Sequence, residues 1–184
     1  MGLLALMVFA VLLLLATLED IRSRRIPNKL VAIGMLLGLG LNGLLPEGLG
    51  FNSAVSGGLG WLSALKGLAL GIAILLPIYL LRAMGAGDVK LMGMVGAFLG
   101  PGDLIGAVIA TFIAGGVMAV VVALWSKQLM NMLQNIKLIL FGSFIKMNAG
   151  QLPVMNDMPI SVARLPYAVA ITVGTLAYLI WQRL

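Results

Sequence analysis

Six long apolar runs constrain the fold of this chain more than any other feature. A helix crosses the roughly 30 Å hydrocarbon core of a bilayer in about 20 residues, and shorter helices can cross inside a bundle. Because 61% of the residues are hydrophobic and only 10% are charged, the chain is far more apolar than a soluble domain. We predict an all-α integral membrane protein with about six transmembrane helices, folded as one domain over residues 1–184. The predicted spans are Leu3–Leu18, Leu30–Leu45, Gly67–Leu81, Val89–Leu99, Leu104–Trp125 and Val162–Trp181.

The fourth span is the shortest, and glycines are concentrated around it. They are Gly85, Gly87, Gly93, Gly96 and Gly100. Small residues let helices approach one another closely, and broken helices are tolerated at membrane depth when protein encloses them. We therefore expect a truncated or broken helix that its neighbours pack tightly.

The positive charges lie mostly at one set of connections between the spans. Lys and Arg near span ends are held on the cytoplasmic side, so their distribution predicts orientation. With the N-terminus outside, all of the twelve Lys and Arg except Lys66 and Arg183 become cytoplasmic. The first span has no basic residue before Arg22, the reverse of a secretory signal peptide, so we expect it to be retained.

Two connections are long enough to need an interpretation of their own. Pro46–Leu65 is rich in Gly and Ser and contains Trp61, and we interpret it as an external loop. In Ser126–Ser161, apolar residues recur at helical spacing between Lys, Asn and Gln, which favours an amphipathic helix on the cytoplasmic leaflet. The alternative is a seventh span, which would bury those polar side chains at a high cost.

The composition excludes several classes of function. A net charge of +6 could suggest nucleic-acid binding, but no basic cluster is interleaved with aromatic residues, and the orientation of the spans explains the excess. Cysteine and histidine are both absent, which removes thiol nucleophiles, disulfides, the common zinc sites and histidine bases. Hydrolytic chemistry would have to come from carboxylates, hydroxyls or lysine.

Asp88 is the residue that most strongly suggests a site, because an ionisable group at membrane depth is expensive and usually functional. It stands in the glycine-rich segment Gly85–Lys90, just before the fourth span. The first span ends near Glu19 and Asp20, and span parity puts those carboxylates at the same membrane face as Asp88. Adjacent helical positions differ by about 100°, so only one of Glu19 and Asp20 can point at a given neighbour.

Two carboxylates at one depth could share a proton and hydrolyse a bond without a metal or an organic cofactor. One would activate water while the other polarises a carbonyl. Asp88 meets the positive end of a helix and Asp20 the negative end of another, so we hypothesise that Asp88 is the more often ionised. Gly85 and Gly87 would leave room for an extended peptide backbone. The alternative is a helix start that Asp88 caps.

Residues near the two acids are candidates for supporting roles. Pro27 is expected to begin the second span, with Asn28 in the same turn. Lys90 is off the helical face of Asp88, so it either tunes the field of the acids or extends to the membrane interface. The arginines at 22, 24 and 25 could hold an acidic residue of a substrate or anchor the chain to lipid headgroups.

Two separated motifs resemble the prepilin peptidases, aspartic membrane endopeptidases with a Gly-x-Gly-Asp motif. The first motif is Asp20-Ile21-Arg22-Ser23-Arg24-Arg25-Ile26-Pro27-Asn28, and the second is Gly85-Ala86-Gly87-Asp88-Val89-Lys90-Leu91. Leu165-Pro166-Tyr167-Ala168 is also similar to the family, more weakly. The resemblance implies removal of leader peptides from type IV pilin-like precursors at the cytoplasmic face of the inner membrane, with Asp20 and Asp88 as catalytic acids.

The resemblance also selects Asp20 over Glu19, because only Asp20 has the family's spacing to Ile26-Pro27-Asn28. Long members of the family carry a domain with paired Cys-x-x-Cys motifs and methylate the new N-terminus. This chain has no cysteine, so it resembles the short, tight-adherence-type peptidases without that activity. The implied partners are a precursor and the lipid bilayer, with self-association into a homo-oligomer left open.

Two other classes of function compete with this interpretation. A small proton- or cation-coupled transporter could use the same two acids, although such carriers usually hold their acids near the bilayer midplane in repeated broken helices. No repeat is visible in this sequence, and both acids lie near one face. A non-catalytic subunit of a secretion or pilus system could keep the fold, but it would have no need of two intact acids.

Overall fold

The computed structural model describes residues 3–44, 60–127 and 166–182, together with the isolated positions 130, 134 and 137. Five helices and no strand occur in this part of the chain, which confirms the all-α prediction. The helices are α1 (Leu3–Ser23), α2 (Asn28–Leu44), α3 (Gly60–Leu80), α4 (Ala86–Trp125) and α5 (Tyr167–Trp181).

The helices carry apolar residues on their outer faces as well as in the core. Among the described helices, α3 and α4 are long and apolar enough to cross a membrane, and α2 and α5 are shorter apolar helices. On α1 the inward positions include Phe9, Leu13 and Ala16, all fully buried. The outward stripe of α1 is apolar too, with Met7, Val11, Leu14, Leu18 and Ile21 exposed. A helix that is hydrophobic all round suits a nonpolar environment.

Several predicted boundaries differ from those in the structure. Helix α3 begins at Gly60, so Trp61 and Leu65, expected in an external loop, are helical. The predicted fourth and fifth spans form one element, α4, with an interruption at Gly100 in place of a loop. Most of the predicted amphipathic helix in 126–161 lies outside the described residues, although positions 130, 134 and 137 are helical.

The interruption in α4 has a clear cause in the sequence. Gly100 has φ 72° and ψ 177°, a conformation that suits glycine because it has no Cβ. The next residue, Pro101, has no N–H, so the carbonyl of Ala97 loses its usual helical donor. Asn42 of α2 replaces that donor, because its Nδ2 lies 2.8 Å from Ala97 O and 3.0 Å from Phe98 O. A broken helix, as expected from the glycines, is therefore present and is stabilised by a buried amide.

The first segment of α4, before Gly100, is the centre of the molecule. Every residue from 91 to 100 is buried, and α2 and α3 pack against this segment, while α5 packs against the second segment of α4. Gly67 of α3 meets Gly96 so closely that a Cβ on either would collide with the other's backbone. Helix α1 packs mainly against α2 and α5. Its Phe9 ring also meets Phe98 of α4, with a centroid separation of 4.8 Å.

Candidate active site

A cavity of about 510 Å³ lies where α1 and α3 end and where α4 and α5 begin. Asp20 and Asp88, which are far apart in sequence, both line it. Their charges are close enough to interact. The complete lining is Asp20, Arg24, Arg82, Ala83, Met84, Gly85, Asp88, Pro166 and Tyr167.

Asp20 is held by a helix other than its own. It lies in the last turn of α1, and only 7% of its surface is exposed. Its Oδ2 accepts a hydrogen bond from the main-chain N–H of Ala168, at 3.1 Å. Ala168 is in the first turn of α5, so Asp20 faces a helix N-terminus. The hypothesis that Asp88 is the more ionised acid assumed that only Asp88 meets a positive helix end, and the structure removes that assumption.

Asp88 stabilises the start of the helix that carries it. It is the third residue of α4, and its Oδ2 accepts the N–H of Gly85 at 3.1 Å. The N–H of Asp88 in turn approaches Gly85 O at 3.2 Å. Asp88 therefore stabilises the helix start, as the alternative expected, but it does so from the third helical position, and the N-cap residue is Gly85. A carboxylate has about four acceptor sites, so one capping bond leaves most of its hydrogen-bonding capacity available.

The two motif glycines are close to protein atoms. A Cβ added to Gly87 would lie 3.2 to 3.4 Å from three side-chain atoms of Ile26, in the α1–α2 connection. One added to Gly85 would lie 3.2 Å from Asp88 Oδ2. Gly87 thus provides space for Ile26, and only Gly85 lines the cavity where a peptide would bind. The expected room for a peptide backbone stays a prediction at Gly85, whereas at Gly87 the space is taken by Ile26.

Lys90 and Asn28 form a direct link between two helix starts. Lys90 Nζ donates to Asn28 Oδ1 at 2.9 Å, which joins the beginning of α4 to the beginning of α2. Pro27 stands just before α2, one position earlier than expected, and its carbonyl accepts the N–H of Val31 at 3.3 Å. None of these residues is in the cavity lining. Their contacts fix the connection that follows Asp20.

Arg82 and Tyr167 line the cavity but did not stand out as site candidates in the sequence. Arg82 follows α3 with φ 58°, while the N–H of Ala83 bonds to Ile78 O at 3.1 Å. This is a Schellman-type helix end with arginine in the position that usually holds glycine. Arg24 ends α1 in a similar left-handed conformation, with φ 52°. The only signal for Tyr167 was its place in the segment Leu165–Ala168.

The remaining described carboxylates lie away from the cavity lining. Glu19 neighbours Asp20 but does not line the cavity. Asp103 follows the break in α4, and its Oδ1 accepts bonds from Gln182 Nε2 at 2.7 Å and Tyr178 Oη at 3.3 Å. Within the described ranges, no group of three acidic side chains is arranged to hold a metal ion.

Comparison with known proteins gives a family for the chain. The model of the type IV leader peptidase family matches residues 7–120, more than half of the chain. No curated protein and no solved structure gives a significant match. The matched range contains Asp20, Asp88 and all the other site residues predicted from the sequence. The match covers more than half of the chain, including parts of both helices that carry the cavity acids, and two of the helices are long and apolar enough to cross a membrane. The chain therefore belongs to the type IV leader peptidase family and is a membrane protease.

Proposed function

We propose that this protein is an aspartic endopeptidase that removes leader peptides from type IV prepilin-like precursors. The observation that carries the proposal is that Asp20 and Asp88, from helices far apart in sequence, line one cavity within the range of the family match. The matched family is a peptidase family, so the match gives no support to the transporter alternative. The family supports the substrate class, and the shared cavity supports the choice of acids.

The chemistry needs one water and the two carboxylates. One carboxylate takes a proton from the water as its oxygen adds to the scissile carbonyl carbon, while the other, in its acid form, protonates the carbonyl oxygen. The C–N bond of the tetrahedral intermediate then breaks. The leaving amine takes a proton from the first acid, and one hydroxyl of the intermediate returns its proton to the second carboxylate as the new carboxyl group forms. The products are a leader with a new carboxylate and a mature chain with a new amine. Asp20 is buried and Asp88 is half-buried, and each accepts a main-chain N–H, so the two carboxylates act in a partly desolvated site with donors already in place.

We further propose six membrane crossings with the N-terminus outside and the cavity at the cytoplasmic face of the inner membrane. The helices α1 and α3, and the second half of α4, run toward the same face in this arrangement. Each ends in a basic residue with positive φ, Arg24 at 52°, Arg82 at 58° and Lys127 at 55°. Cations at helix C-termini complement the helix dipole, and cytoplasmic ends favour Lys and Arg. These three residues support the orientation independently of the family match.

Co-expression with candidate pilin precursors tests the proposed function. Wild type should remove the leader, whereas Asp20→Asn and Asp88→Asn should abolish removal while still accumulating in the membrane. Glu19→Gln is the matched control, because it changes a neighbouring carboxylate outside the cavity and should leave processing intact. Processing by either Asn variant at the wild-type rate, in the membrane-inserted protein, would contradict the carboxylate mechanism.

A further inference from the structure

A polar seam joins α1 to α5 one helical turn from Asp20. Thr17 Oγ1 and Thr172 Oγ1 lie 2.7 Å apart, and Thr17 Oγ1 also lies 2.9 Å from Leu13 O in its own helix. Thr172 is buried, with 4% of its surface exposed, and Thr17 is half-buried. Such hydroxyl pairs hold helices together at membrane depth, where few other polar partners exist.

The hydrogens of the seam can be assigned from its distances. A hydroxyl has one proton and can accept two hydrogen bonds. If Thr17 donates to Leu13 O, then Thr172 must donate to Thr17 for both short contacts to be hydrogen bonds. The longer contacts, Thr172 Oγ1 to Leu13 O and Thr17 Oγ1 to Ala168 O, are each 3.4 Å. Either hydroxyl can be the donor of the 2.7 Å contact, and Thr172 is the donor in the arrangement that keeps both short contacts as hydrogen bonds.

Ala168 connects this seam to the cavity. Its N–H donates to Asp20 Oδ2, while its carbonyl faces the Thr17 hydroxyl. Thr17 and Asp20 are three residues apart on α1, and Ala168 and Thr172 are four apart on α5, so each pair shares one helix face. The position of the Asp20 carboxylate is thus set by how α5 is seated on α1.

On its other side, α5 packs against the second segment of α4, beyond the break at Gly100. Gly174 lies against the backbone of Thr111, and Gly106 lies against the ring of Tyr178. At the start of α5, Tyr167 lines the cavity and interacts electrostatically with Asp88. Helix α5 therefore reaches Asp20 through Ala168 and the Asp88 side of the cavity through Tyr167, although it lies beyond residues 7–120 of the family match.

We propose that α5 sets the placement of Asp20 relative to Asp88, with Thr17 and Thr172 as positioning residues that seat it on α1. The inference rests on the proposed function, because it assigns these hydroxyls a role in bringing the two acids together. Removing the Thr172 hydroxyl leaves the Ala168 N–H and the Asp20 carboxylate unchanged, but it removes the hydrogen bond that fixes the position of α5 along α1. Small misplacements of catalytic groups, on the order of 1 Å, can cost about 10²-fold in rate.

The test compares two valine substitutions on the same helix. Thr172→Val removes the hydroxyl of the seam at nearly constant volume. Thr175→Val is the matched control, because Thr175 is fully buried on α5 and its hydroxyl has no hydrogen-bond partner among the described residues. Both are assayed as purified full-length protein in lipid with a precursor that the wild type cleaves, and kcat and KM are measured separately.

We expect Thr172→Val to lower kcat roughly tenfold with KM within about twofold, a fraction of the loss that a 1 Å misplacement can cause. Thr175→Val should leave both constants within about twofold, and Thr172→Ser, which keeps the hydroxyl, should restore most of the rate. Thr17→Val provides the same test if Thr172→Val fails to accumulate in the membrane.

Equal effects of the two valine variants, or failure of Thr172→Ser to restore the rate, would overturn the positioning role. Loss of folded protein in Thr172→Val with unchanged kcat in the remaining fraction would overturn it as well. The proposed function fails in a different way, by an inactive wild type or by active Asp20→Asn and Asp88→Asn variants. The two failures are therefore distinguishable.

Discussion

The carboxylate of Asp88 combines a local structural role with the proposed chemical one. Its Oδ2 accepts the N–H of Gly85 at the start of α4, and the same side chain lines the cavity with Asp20. A substitution at Asp88 can therefore change stability, chemistry or both. The amide of asparagine can still accept the Gly85 N–H, whereas alanine cannot.

We expect Asp88→Asn to unfold at nearly the wild-type temperature while cleaving no precursor. Asp88→Ala should be inactive as well and should lower the free energy of unfolding by about 1 kcal/mol, since it loses the capping interaction. Thermal unfolding in one detergent, beside the cleavage assay, separates the two effects. Equal stability of the two variants would show that the Gly85 hydrogen bond contributes little.

Asn42 lies outside the cavity lining, so substitutions there are expected to change stability and not chemistry. Its amide donates to the carbonyl of Ala97, whose helical donor is missing at Pro101, and to the carbonyl of Phe98. Asn42→Leu should lower the free energy of unfolding by about 1–3 kcal/mol, because the Ala97 carbonyl would be buried without a partner. The control is Thr111→Val, which removes a buried hydroxyl that has no described partner and should be neutral. Unfolding of both variants under the same conditions measures the difference.

At the scale of the element, α4 is two helical segments joined by one residue of unusual backbone conformation. Gly100 allows the positive φ, and Pro101 has no N–H to donate to the carbonyl of Ala97. The side-chain amide of Asn42 donates to that carbonyl instead. Asp103 then links the second segment to α5 through Tyr178 and Gln182. The break is thus fixed by contacts with α2 and α5, and it ends the buried run of residues 91–100 that follows Asp88.

Alanine substitutions on either side of Pro101 separate backbone strain from side-chain packing. Gly100→Ala should lower the free energy of unfolding by about 1–2 kcal/mol, because a Cβ is unfavourable at φ 72°. Gly102→Ala should be neutral or slightly stabilising, since a Cβ there meets nothing within 4 Å and alanine favours helix. Thermal unfolding of the two variants measures the contrast, and a destabilised Gly102→Ala would contradict this account.

At the scale of the whole molecule, the features that depend on the apolar pattern, such as the helices, could be predicted from the sequence. The features that depend on tertiary contacts could not. Apolar runs predicted all five described helices, and span parity brought Asp20 and Asp88 to one end. The start of α3 was misplaced because the glycines before Trp61 carry no decisive helix signal. The Ala168 hydrogen bond and the Thr17–Thr172 pair could not be predicted, because they join residues about 150 positions apart through packing alone.

Orientation can be tested in this chain on a clean background, because it contains no cysteine. We expect cysteines introduced at Ser23 and Ser126 to react with a membrane-impermeant thiol reagent only from the cytoplasmic side. A cysteine at Gly102, beyond the break in α4, should react only from the outside. Labelling of intact cells against inverted vesicles measures this, and reversed accessibility at all three positions would contradict an external N-terminus.

The burial of the first α4 segment affects how the two acid-bearing helices respond to the thickness of the bilayer. Residues 91–100 are all enclosed by protein, so the first segment of α4, which follows Asp88, is shielded from lipid, whereas α1 exposes an apolar stripe beside Asp20. Mismatch between a helix and the bilayer is relieved by tilting the helix or by deforming the bilayer around it. We therefore expect a change in bilayer thickness to act more directly on α1, which carries Asp20, than on the enclosed segment beside Asp88. On the proposed function, the cleavage rate is then expected to depend on the length of the surrounding acyl chains, with an optimum at the thickness that brings the two carboxylates together.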